Sequence, residues 1–284
     1  RFFICDSAHW LVTRGRMHEA TVATLALLHR VPPYPKVVEL INPHHNDEAG
    51  GHIAPKGGLS ALFNTPPIRR ATFLASIPWF LQDLSTYGIG IFTPVILAKT
   101  LGSAGATGSV DALVHKVELS AKGTAMLDIL LILGIIAAII MVERAGRIRL
   151  QIIGFIGCAV GLGLAALSQQ MAGGAQIAFL FSGFMLFNFM TNMGPNAQTY
   201  LLAGEVFPTH IRGYGAGFAA SFAKIGAVLT AFLFPFLLKD IGTQMLLILL
   251  IVSSLLGAVV TWIFRIETRG TLEKVVLDRV QPQV

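Results

Sequence analysis

The sequence predicts an all-α membrane protein built on six transmembrane helices, and composition and segment length together support this fold class. Of the 284 residues, 54% are hydrophobic and only 13% are Asp, Glu, Lys or Arg, whereas an ordinary soluble domain carries roughly 25% charged residues. Six apolar runs reach the length of about 20 residues that an α-helix needs to cross a hydrocarbon core of roughly 30 Å. A soluble enzyme of this size would need many more surface charges, so the composition argues against that class.

The first 70 residues differ in composition from the rest of the chain. Prolines, histidines and charged residues are frequent between residues 1 and 70, which is typical of a loop-rich aqueous segment. Residues 10–28 carry apolar side chains at helical spacing, and this pattern predicts a short surface helix. We therefore interpret residues 1–70 as a segment outside the membrane that carries short surface helices.

The six apolar runs follow one another with mostly short separators that contain glycine or charged residues. They extend over residues 71–98, 124–142, 150–168, 176–202, 214–238 and 243–264. We expect residues 71–265 to form a six-helix transmembrane bundle and residues 266–284 to form a tail. An even number of spans places the two ends of the bundle on the same side of the membrane.

The distribution of basic residues predicts the orientation of this bundle. Sixteen of the 21 Lys and Arg residues lie on the side that holds residues 1–70 and the tail, and four lie on the other side. Because cytoplasmic loops carry an excess of Lys and Arg, we expect both ends to be cytoplasmic. The chain would then be a multi-pass protein of the plasma (inner) membrane, and its net charge of +6 reflects topology rather than nucleic-acid binding.

The sequence gives no reason to expect a cofactor or a metal. Cys5 and Cys158 are far apart, and Cys158 lies in an apolar run where a thiol acts as a small hydrophobe. His44, His45 and His52 form the only histidine group that could suggest a metal, and a solvated loop is the better interpretation of it. Because no Gly-x-Ser-x-Gly nucleophile motif occurs either, we expect that the chain is not an enzyme.

Three ionisable residues stand out inside the predicted spans, where a charged side chain costs at least roughly 2.5 to 3.5 kcal/mol. They are Asp83, Asp128 and Lys224. Asp128 lies near the start of its predicted span, where solvation at the membrane interface is sufficient to explain it. Asp83 and Lys224 lie near the middle of theirs, and such residues are candidates for a functional site.

Trp79 and Tyr87 flank Asp83 at intervals of four residues, so the three side chains follow one stripe of a helix. A carboxylate between two aromatic hydrogen-bond donors can hold a polar solute or exchange a proton. The alternative is that Asp83 pairs with a neighbouring helix for structural reasons. Lys224 in turn can pair with Asp83 or with an anionic solute, or it can extend its ammonium group to the membrane surface.

A second polar stripe lies in the fourth predicted span. Asn188, Asn192 and Asn196 are four residues apart, and Gly194-Pro195 interrupts the helix between the last two. Proline removes an internal hydrogen bond, and the freed carbonyl is tolerated only where protein or a water-filled cavity satisfies it. We therefore expect the three asparagines to line a solute path; the alternative is that they hydrogen-bond to neighbouring helices.

Four segments resemble the cytoplasmic signatures of the major facilitator superfamily, in particular of members related to sugar porters. Residues 7–20 resemble the start of its central cytoplasmic loop, residues 143–149 resemble its Asp-x-x-Gly-Arg-Arg loop, and residues 205–213 and 267–273 resemble two further signatures. The resemblance implies that the chain is the C-terminal six-helix half of a twelve-helix fold with the connecting loop, and that the N-terminal six-helix half of the same protein is its partner. The residues of the implied conformational-gating motifs are Glu143, Arg144, Gly146, Arg147, Glu205, Arg212, Glu267 and Arg269.

Within that superfamily, the predicted spans are most similar to the phosphate:proton symporters. The matching motifs are Trp79-x-x-x-Asp83-x-x-x-Tyr87-Gly88, Gly194-Pro195-Asn196-x-x-Thr199 and Ala219-Ala220-Ser221-x-x-Lys224-x-Gly226-Ala227. The sugar-porter motifs of the seventh helix (Gln-Gln-x-x-Gly) and the tenth helix (Gly-Pro-x-Pro-Trp) are absent from the corresponding spans. The resemblance implies that Trp79, Asp83, Tyr87 and Lys224 contribute to a phosphate site and that Asp83 carries the coupling proton.

The predicted function is secondary active transport, in which a proton-coupled symporter moves inorganic phosphate or a similar small anion by alternating access. One alternative is a symporter of a sugar or another small organic metabolite, in which the Asp83–Lys224 pair is structural and the asparagines bind hydroxyl groups. Another alternative is a membrane nutrient sensor that keeps these residues without transporting. The expected partners are a small substrate, protons and the lipid bilayer, and no nucleic acid.

Overall fold

The structure, a computed structural model, describes residues 11, 15–28, 58–101, 110–208 and 211–266, and these ranges are helical almost throughout, without a strand. A short helix, α1 (Met17–Leu28), precedes the bundle. The bundle helices are α2 (Pro66–Leu101), α3 (Val110–Ala145), α4 (Arg147–Leu167), α5 (Gly173–Met193), α6 (Pro195–Glu205), α7 (Arg212–Asp240) and α8 (Gly242–Phe264).

Six segments of the described chain are long and apolar enough to cross a membrane, which confirms the predicted number of spans. They are Pro66–Ala98, Val117–Ala145, Arg147–Gln170, Gly173–Glu205, Arg212–Asp240 and Gly242–Phe264. The fourth span comprises α5 and α6, which are separated at Gly194. The first two helices begin earlier than the apolar runs, because polar residues before each run continue the same helix.

Two glycines allow consecutive spans to follow each other without a loop. Gly146 lies between α3 and α4 with a φ of +87°, and Gly242 begins α8 with a φ of +76°. Residues with a Cβ rarely adopt this left-handed region, whereas glycine does so at little cost. The pairs α3–α4 and α7–α8 are therefore joined through one residue each, Gly146 and Ile241.

Small residues bring α4 and α5 into close contact. A Cβ on Gly161 would lie 2.7 Å from the carbonyl oxygen of Gly183, and a Cβ on Gly183 would lie 2.6 Å from the backbone nitrogen of Ala165. Such contacts are common between transmembrane helices, because apolar lipid gives the helices no hydrophobic reason to associate and close packing must hold them together. Phe184 and Phe187, on the same helix as Gly183, are among the largest fully buried side chains.

Helix α2 is surrounded by other helices of the bundle, since it contacts α3, α5, α6, α7 and α8. By contrast, α3 and α7 expose wide apolar faces. Ile139 on α3 is 67% exposed, and Phe232 on α7 is 71% exposed. Such faces suit lipid or further membrane helices, whereas polar residues in the middle of α2, namely Gln82, Asp83 and Ser85, are buried among neighbouring helices.

The segment before the bundle contains α1, which lies within the surface helix predicted for residues 10–28. Arg16 donates a hydrogen bond to Glu19 at 2.8 Å, and this bond lowers the pKa of the Glu19 carboxyl group. Residues 29–57, with the histidine group at 44, 45 and 52, lie outside the described residues. The boundaries of the three predicted regions, and the assignment of 1–70 and 266–284 to the cytoplasm, stay predictions.

Candidate functional site

Asp83 and Lys224 meet inside the bundle. Lys224 Nζ lies 2.8 Å from Asp83 Oδ2 and donates a second hydrogen bond to the Tyr87 hydroxyl at 3.2 Å. The side chain of Asp83 is only 4% exposed, whereas that of Lys224 is 49% exposed. The ammonium group is therefore bonded on one side and open on the other.

Lys224 reaches the carboxylate because α7 packs directly on α2. A Cβ on Gly226 would lie 2.6 Å from the backbone oxygen of Phe80, so the two helices touch within one turn of the lysine. One turn further, Thr230 donates a hydrogen bond to the carbonyl oxygen of Leu84 at 3.1 Å. The small residues around Lys224 thus set the short distance between the two helices at the ion pair.

Aromatic rings border the ion pair along α2. Trp79 lies one turn before Asp83, is 4% exposed, and its ring centroid lies 4.5 Å from that of Tyr200 on α6. Tyr87 lies one turn after Asp83, and its ring centroid lies 5.0 Å from the Lys224 ammonium, within the range of a cation–π contact. The structure therefore brings together four predicted site residues and adds Tyr200, which the sequence analysis did not identify.

An uncharged hydrogen-bond network adjoins the ion pair. Gln82 Nε2 donates to Thr86 Oγ1 at 2.9 Å and to Asn196 Oδ1 at 3.2 Å, and the hydroxyl oxygens of Thr86 and Thr191 lie 3.2 Å apart. Gln82 Oε1 is buried without a hydrogen-bond partner in the described part of the chain, which leaves an acceptor for a polar solute or a water. The sequence analysis did not identify Gln82, Thr86 or Thr191 as site residues. Gln82 and Thr86 could have been found, because they are four residues apart on the helix that carries Asp83.

The predicted asparagine stripe divides between two sets of contacts. Asn188 and Asn192 donate to backbone carbonyl oxygens of α3 at 3.0 and 2.8 Å, so both amides join α5 to α3. Asn196 lies beyond the helix break, donates to Asn192 Oδ1 at 2.5 Å and accepts the bond from Gln82. Of the three, Asn196 is the one bonded to α2 beside the ion pair, and the lining of a solute path by the whole stripe stays a prediction.

The helix break between α5 and α6 packs closely against α4. Gly194 has a φ of −108° and a ψ of −100°, and a Cβ there would lie 2.5 Å from the Cα of Gly154. Pro195 opens α6 at a position where the missing N–H would have no partner within the helix. After the break, Asn196 accepts the hydrogen bond from Gln82 of α2 and Tyr200 packs on Trp79 of α2.

Part of the predicted gating motifs forms an ion-pair cluster at one end of the bundle. Arg147, at the start of α4, lies 3.2 Å from Glu143 in the last turns of α3 and 3.2 Å from Glu205 at the end of α6. The Arg147 side chain is 13% exposed, that of Glu205 32% and that of Glu143 72%, so the pair with Glu205 is the better shielded from water and the pair with Glu143 is close to a surface pair. The cluster connects the ends of three helices around the turn at Gly146.

The structure describes the surroundings of the remaining predicted residues to different extents. Arg212 Nε donates to a backbone carbonyl oxygen five residues earlier at 3.2 Å, and Arg144 is exposed in the last turn of α3. Asp128 is exposed on α3, while Glu267 and Arg269 lie outside the described residues. Across the described ranges, no group of three His, Cys, Asp or Glu residues is placed to hold a metal ion.

Comparisons with known proteins show relatives along the whole chain. A family model described as sugar (and other) transporter matches residues 1–276. Inorganic phosphate transporter PT2 of Toxoplasma gondii is 28% identical over 217 residues, which cover 75% of this chain and 36% of that protein. Inner membrane metabolite transport protein YgcS of Escherichia coli is 29% identical over 273 residues, which cover 93% of this chain and 52% of that protein.

A solved structure shows the same fold. The proton:xylose symporter XylE, bound to 6-bromo-6-deoxy-D-glucose, superposes with a TM-score of 0.67 at 20% identity, over 96% of this chain and 55% of that chain. The chain thus spans about half, or less, of the length of these relatives. XylE is described as a member of the major facilitator superfamily, and this chain shares its fold. From the match over residues 1–276 and the six spans, the chain belongs to the sugar (and other) transporter family, whose members are membrane transporters and not enzymes.

Proposed function

We propose that the complete protein is a secondary active transporter that carries inorganic phosphate, or a similar small anion, together with protons. The observation that carries this proposal is the ammonium group of Lys224, which is bonded to Asp83 and Tyr87 on one side and open on the other. A charge within a membrane span is costly and marks a functional site by default. The similarity to a T. gondii protein named as an inorganic phosphate transporter supports the same substrate class.

Each side chain of the site has a role in this proposal. Lys224 attracts the anion, and the N–H of Trp79 and the O–H of Tyr87 donate hydrogen bonds to its oxygens. Asn196 presents an amide from the other side of the helix break. Asn188 and Asn192 support this wall through their bonds to α3.

Proton coupling follows from competition for the lysine. Asp83 and an incoming anion both need the same ammonium group, so the carboxylate opposes anion binding while it is charged. A proton on Asp83 removes that charge and leaves the ammonium available to the substrate. Proton and anion then favour each other's binding, which is the thermodynamic requirement for symport.

The site as described is one wall of a transport pathway. In transporters built from two repeats, the substrate lies near the midplane between them, and the halves rock around it. The relatives are longer than this chain, and we propose that a second six-helix half faces the open side of Lys224. Alternating access would then expose the site to each side of the membrane in turn.

The test is uptake by the full-length protein in liposomes. We expect saturable uptake of labelled phosphate that increases with an inward proton gradient and stops when an ionophore removes the gradient. Labelled xylose or glucose, offered under the same conditions, serves as the comparison. Proton-driven sugar uptake without phosphate uptake would contradict the proposal.

The uncharged network favours a second candidate, the transport of a sugar or another neutral metabolite. Gln82, Thr86, Thr191 and Asn196 present amide and hydroxyl groups of the kind that bind substrate hydroxyls. Asp83 and Lys224 would then form a structural pair. The same uptake assay separates the two candidates, and binding of phosphate without any flux would assign the role of a nutrient sensor.

A further inference from the structure

We propose that the adjoining ends of α2 and α8 form a binding site for the headgroup of an anionic phospholipid. On α2, Arg70 precedes Asp83 by 13 positions, which is about 20 Å along the helix axis, and the cavity plays no part in the transport proposal. A surface cavity of about 360 Å³ lies there. Its lining residues are Pro66, Arg69, Arg70, Phe73, Ile263 and Phe264.

Arg70 builds the cavity by joining the two helices. Its guanidinium group donates hydrogen bonds to the carbonyl oxygens of Ile263, Phe264 and Arg265 at 3.3, 3.2 and 3.0 Å. These carbonyls belong to the end of α8, where the helix itself offers no donors. Arg70 therefore caps α8 and fixes the distance between the two helix ends.

Arg69 supplies the charge that a ligand would meet. Its backbone N–H donates to the carbonyl oxygen of Thr65 at 2.9 Å, but its guanidinium group is exposed in the cavity and forms no hydrogen bond or ion pair with the described residues. Among the described residues that line the cavity none is a carboxylate, so the two neighbouring guanidinium groups give this described lining a positive charge. A planar guanidinium group matches the oxygens of a phosphate.

The walls of the cavity indicate a lipid as the source of that phosphate. Phe73 is 37% exposed and Ile263 is 52% exposed, and both lie at the ends of membrane spans. Next to them, the guanidinium group of Arg265 lies 5.9 Å from the ring centroid of Trp262, a pairing of residue types found at membrane–water interfaces. A headgroup phosphate at Arg69 would therefore place an acyl chain along Phe73 and Ile263.

Basic pockets between transmembrane helices are known to bind anionic headgroups on the cytoplasmic side, which is the side that the charge distribution predicts for this end of the bundle. A soluble anion would gain nothing from the exposed apolar walls. A zwitterionic lipid would carry a cation into a cavity that already holds two. We therefore assign the cavity to an anionic phospholipid, with phosphatidylglycerol as the probe.

Native mass spectrometry of the full chain in detergent tests the assignment. We expect the wild-type protein to retain one phosphatidylglycerol in preference to phosphatidylcholine. Arg69→Gln should lower the retained fraction of lipid roughly fivefold. A single basic residue near an anionic surface contributes about that factor to the binding constant. Arg69→Lys should keep most of the binding, and Arg149→Gln, which removes an exposed arginine at the start of α4, is the matched control.

Three results would overturn the proposal: equal retention of the two lipids, unchanged retention by Arg69→Gln, or an equal loss in Arg149→Gln. Displacement of the lipid by an equal concentration of glycerol phosphate would show that the cavity binds soluble anions instead. The wild-type protein supplies a test that needs no variant. Phosphatidylglycerol should raise its Tm and phosphatidylcholine should not, and equal shifts would contradict the assignment.

Discussion

At the scale of residues, the proposed transport chemistry rests on one ion pair with unequal surroundings. The carboxylate of Asp83 is buried, and the ammonium of Lys224 is half exposed. Removing one partner of a buried pair typically costs about 3–5 kcal/mol, whereas removing both can be neutral. Because water can reach the ammonium group on the open side of Lys224, we expect neutralisation of Asp83 to lower the free energy of unfolding by less than this.

Asp83→Asn tests the proposed proton carrier. The amide keeps the size and the hydrogen bonding of the carboxyl group but cannot release a proton at physiological pH. We expect the variant to lose accumulation driven by a pH gradient and to keep some exchange of labelled phosphate across the membrane. Both are measured with the full-length protein in liposomes, and Asp128→Asn, on the exposed face of α3, is the control. Full proton-driven accumulation by Asp83→Asn would contradict the proposed role.

Lys224→Gln tests the proposed anion contact. Loss of a hydrogen bond to a charged group costs about 1.5–3 kcal/mol, so we expect phosphate affinity to fall roughly 10- to 100-fold. Lys224→Arg keeps the charge and should weaken binding less. Equilibrium binding of phosphate to the purified variants measures both effects.

The double variant separates a functional pair from a structural one. If Asp83 and Lys224 only stabilise the fold, the combination of Asp83→Asn with Lys224→Gln should restore both stability and transport, because no unpaired charge remains. We expect stability to recover while proton-coupled transport stays absent. Thermal unfolding and uptake distinguish the outcomes, and full coupled transport by the double variant would refute the mechanism.

At the scale of elements, backbone contacts through glycine decide how the helices assemble. Gly226 lets α7 touch α2 beside the ion pair, and Gly161 and Gly183 let α4 touch α5. The break at Gly194 lies against Gly154 of α4 in the same way. These contacts leave no room for a methyl group, so they fix helix spacing more tightly than larger apolar side chains would.

Gly161→Ala should destabilise the bundle because its Cβ would meet the backbone of α5 at 2.7 Å. Overpacking of this kind costs about 1–3 kcal/mol, and we expect a clearly lower Tm in detergent. Gly163→Ala is the matched control on the same helix, since a Cβ there meets nothing within 4 Å. Equal Tm values for the two variants would show that the α4–α5 contact is looser than described.

At the scale of the whole molecule, the distribution of basic residues predicts the orientation of the bundle in the membrane. The cluster of Arg147 with Glu143 and Glu205 and the arginines near α2 and α8 lie at the basic end of the bundle. The positive-inside rule assigns this end to the cytoplasm. The proposed lipid cavity and the proposed gating cluster would then share one membrane surface.

Cysteine labelling in whole cells tests this orientation. Gly174 and Gly213 are both exposed, and a side chain at either position meets nothing within 4 Å. In a background with Cys5→Ser, we expect an impermeant maleimide to label Gly174→Cys in intact cells and Gly213→Cys only after permeabilisation. The reverse pattern would overturn the orientation, and the buried Cys158 makes the background reaction small.

The sequence alone was sufficient to predict the fold class and the six spans, and it singled out the two charged residues that the structure brings together in the candidate site. Span number follows from local composition, because any apolar run of membrane length must form its backbone hydrogen bonds within one helix. Asp83 and Lys224 are conspicuous because charges are rare at mid-membrane. Both signals are properties of single segments and need no knowledge of packing.

Only the tertiary structure decided which side chains meet. Gln82 and Asn196 are 114 positions apart, and Trp79 meets Tyr200 only because α6 lies against α2 after the break at Gly194. The packing of the helices also decided that Asn188 and Asn192 donate hydrogen bonds to the backbone of α3. It placed Arg69 and Arg70 beside the end of α8. Hydropathy determines that a segment crosses the membrane. The rotation and spacing of the helices depend instead on close contacts between residues that are distant in the sequence. Such contacts leave no periodic signal in a single sequence, so they could not be predicted from it.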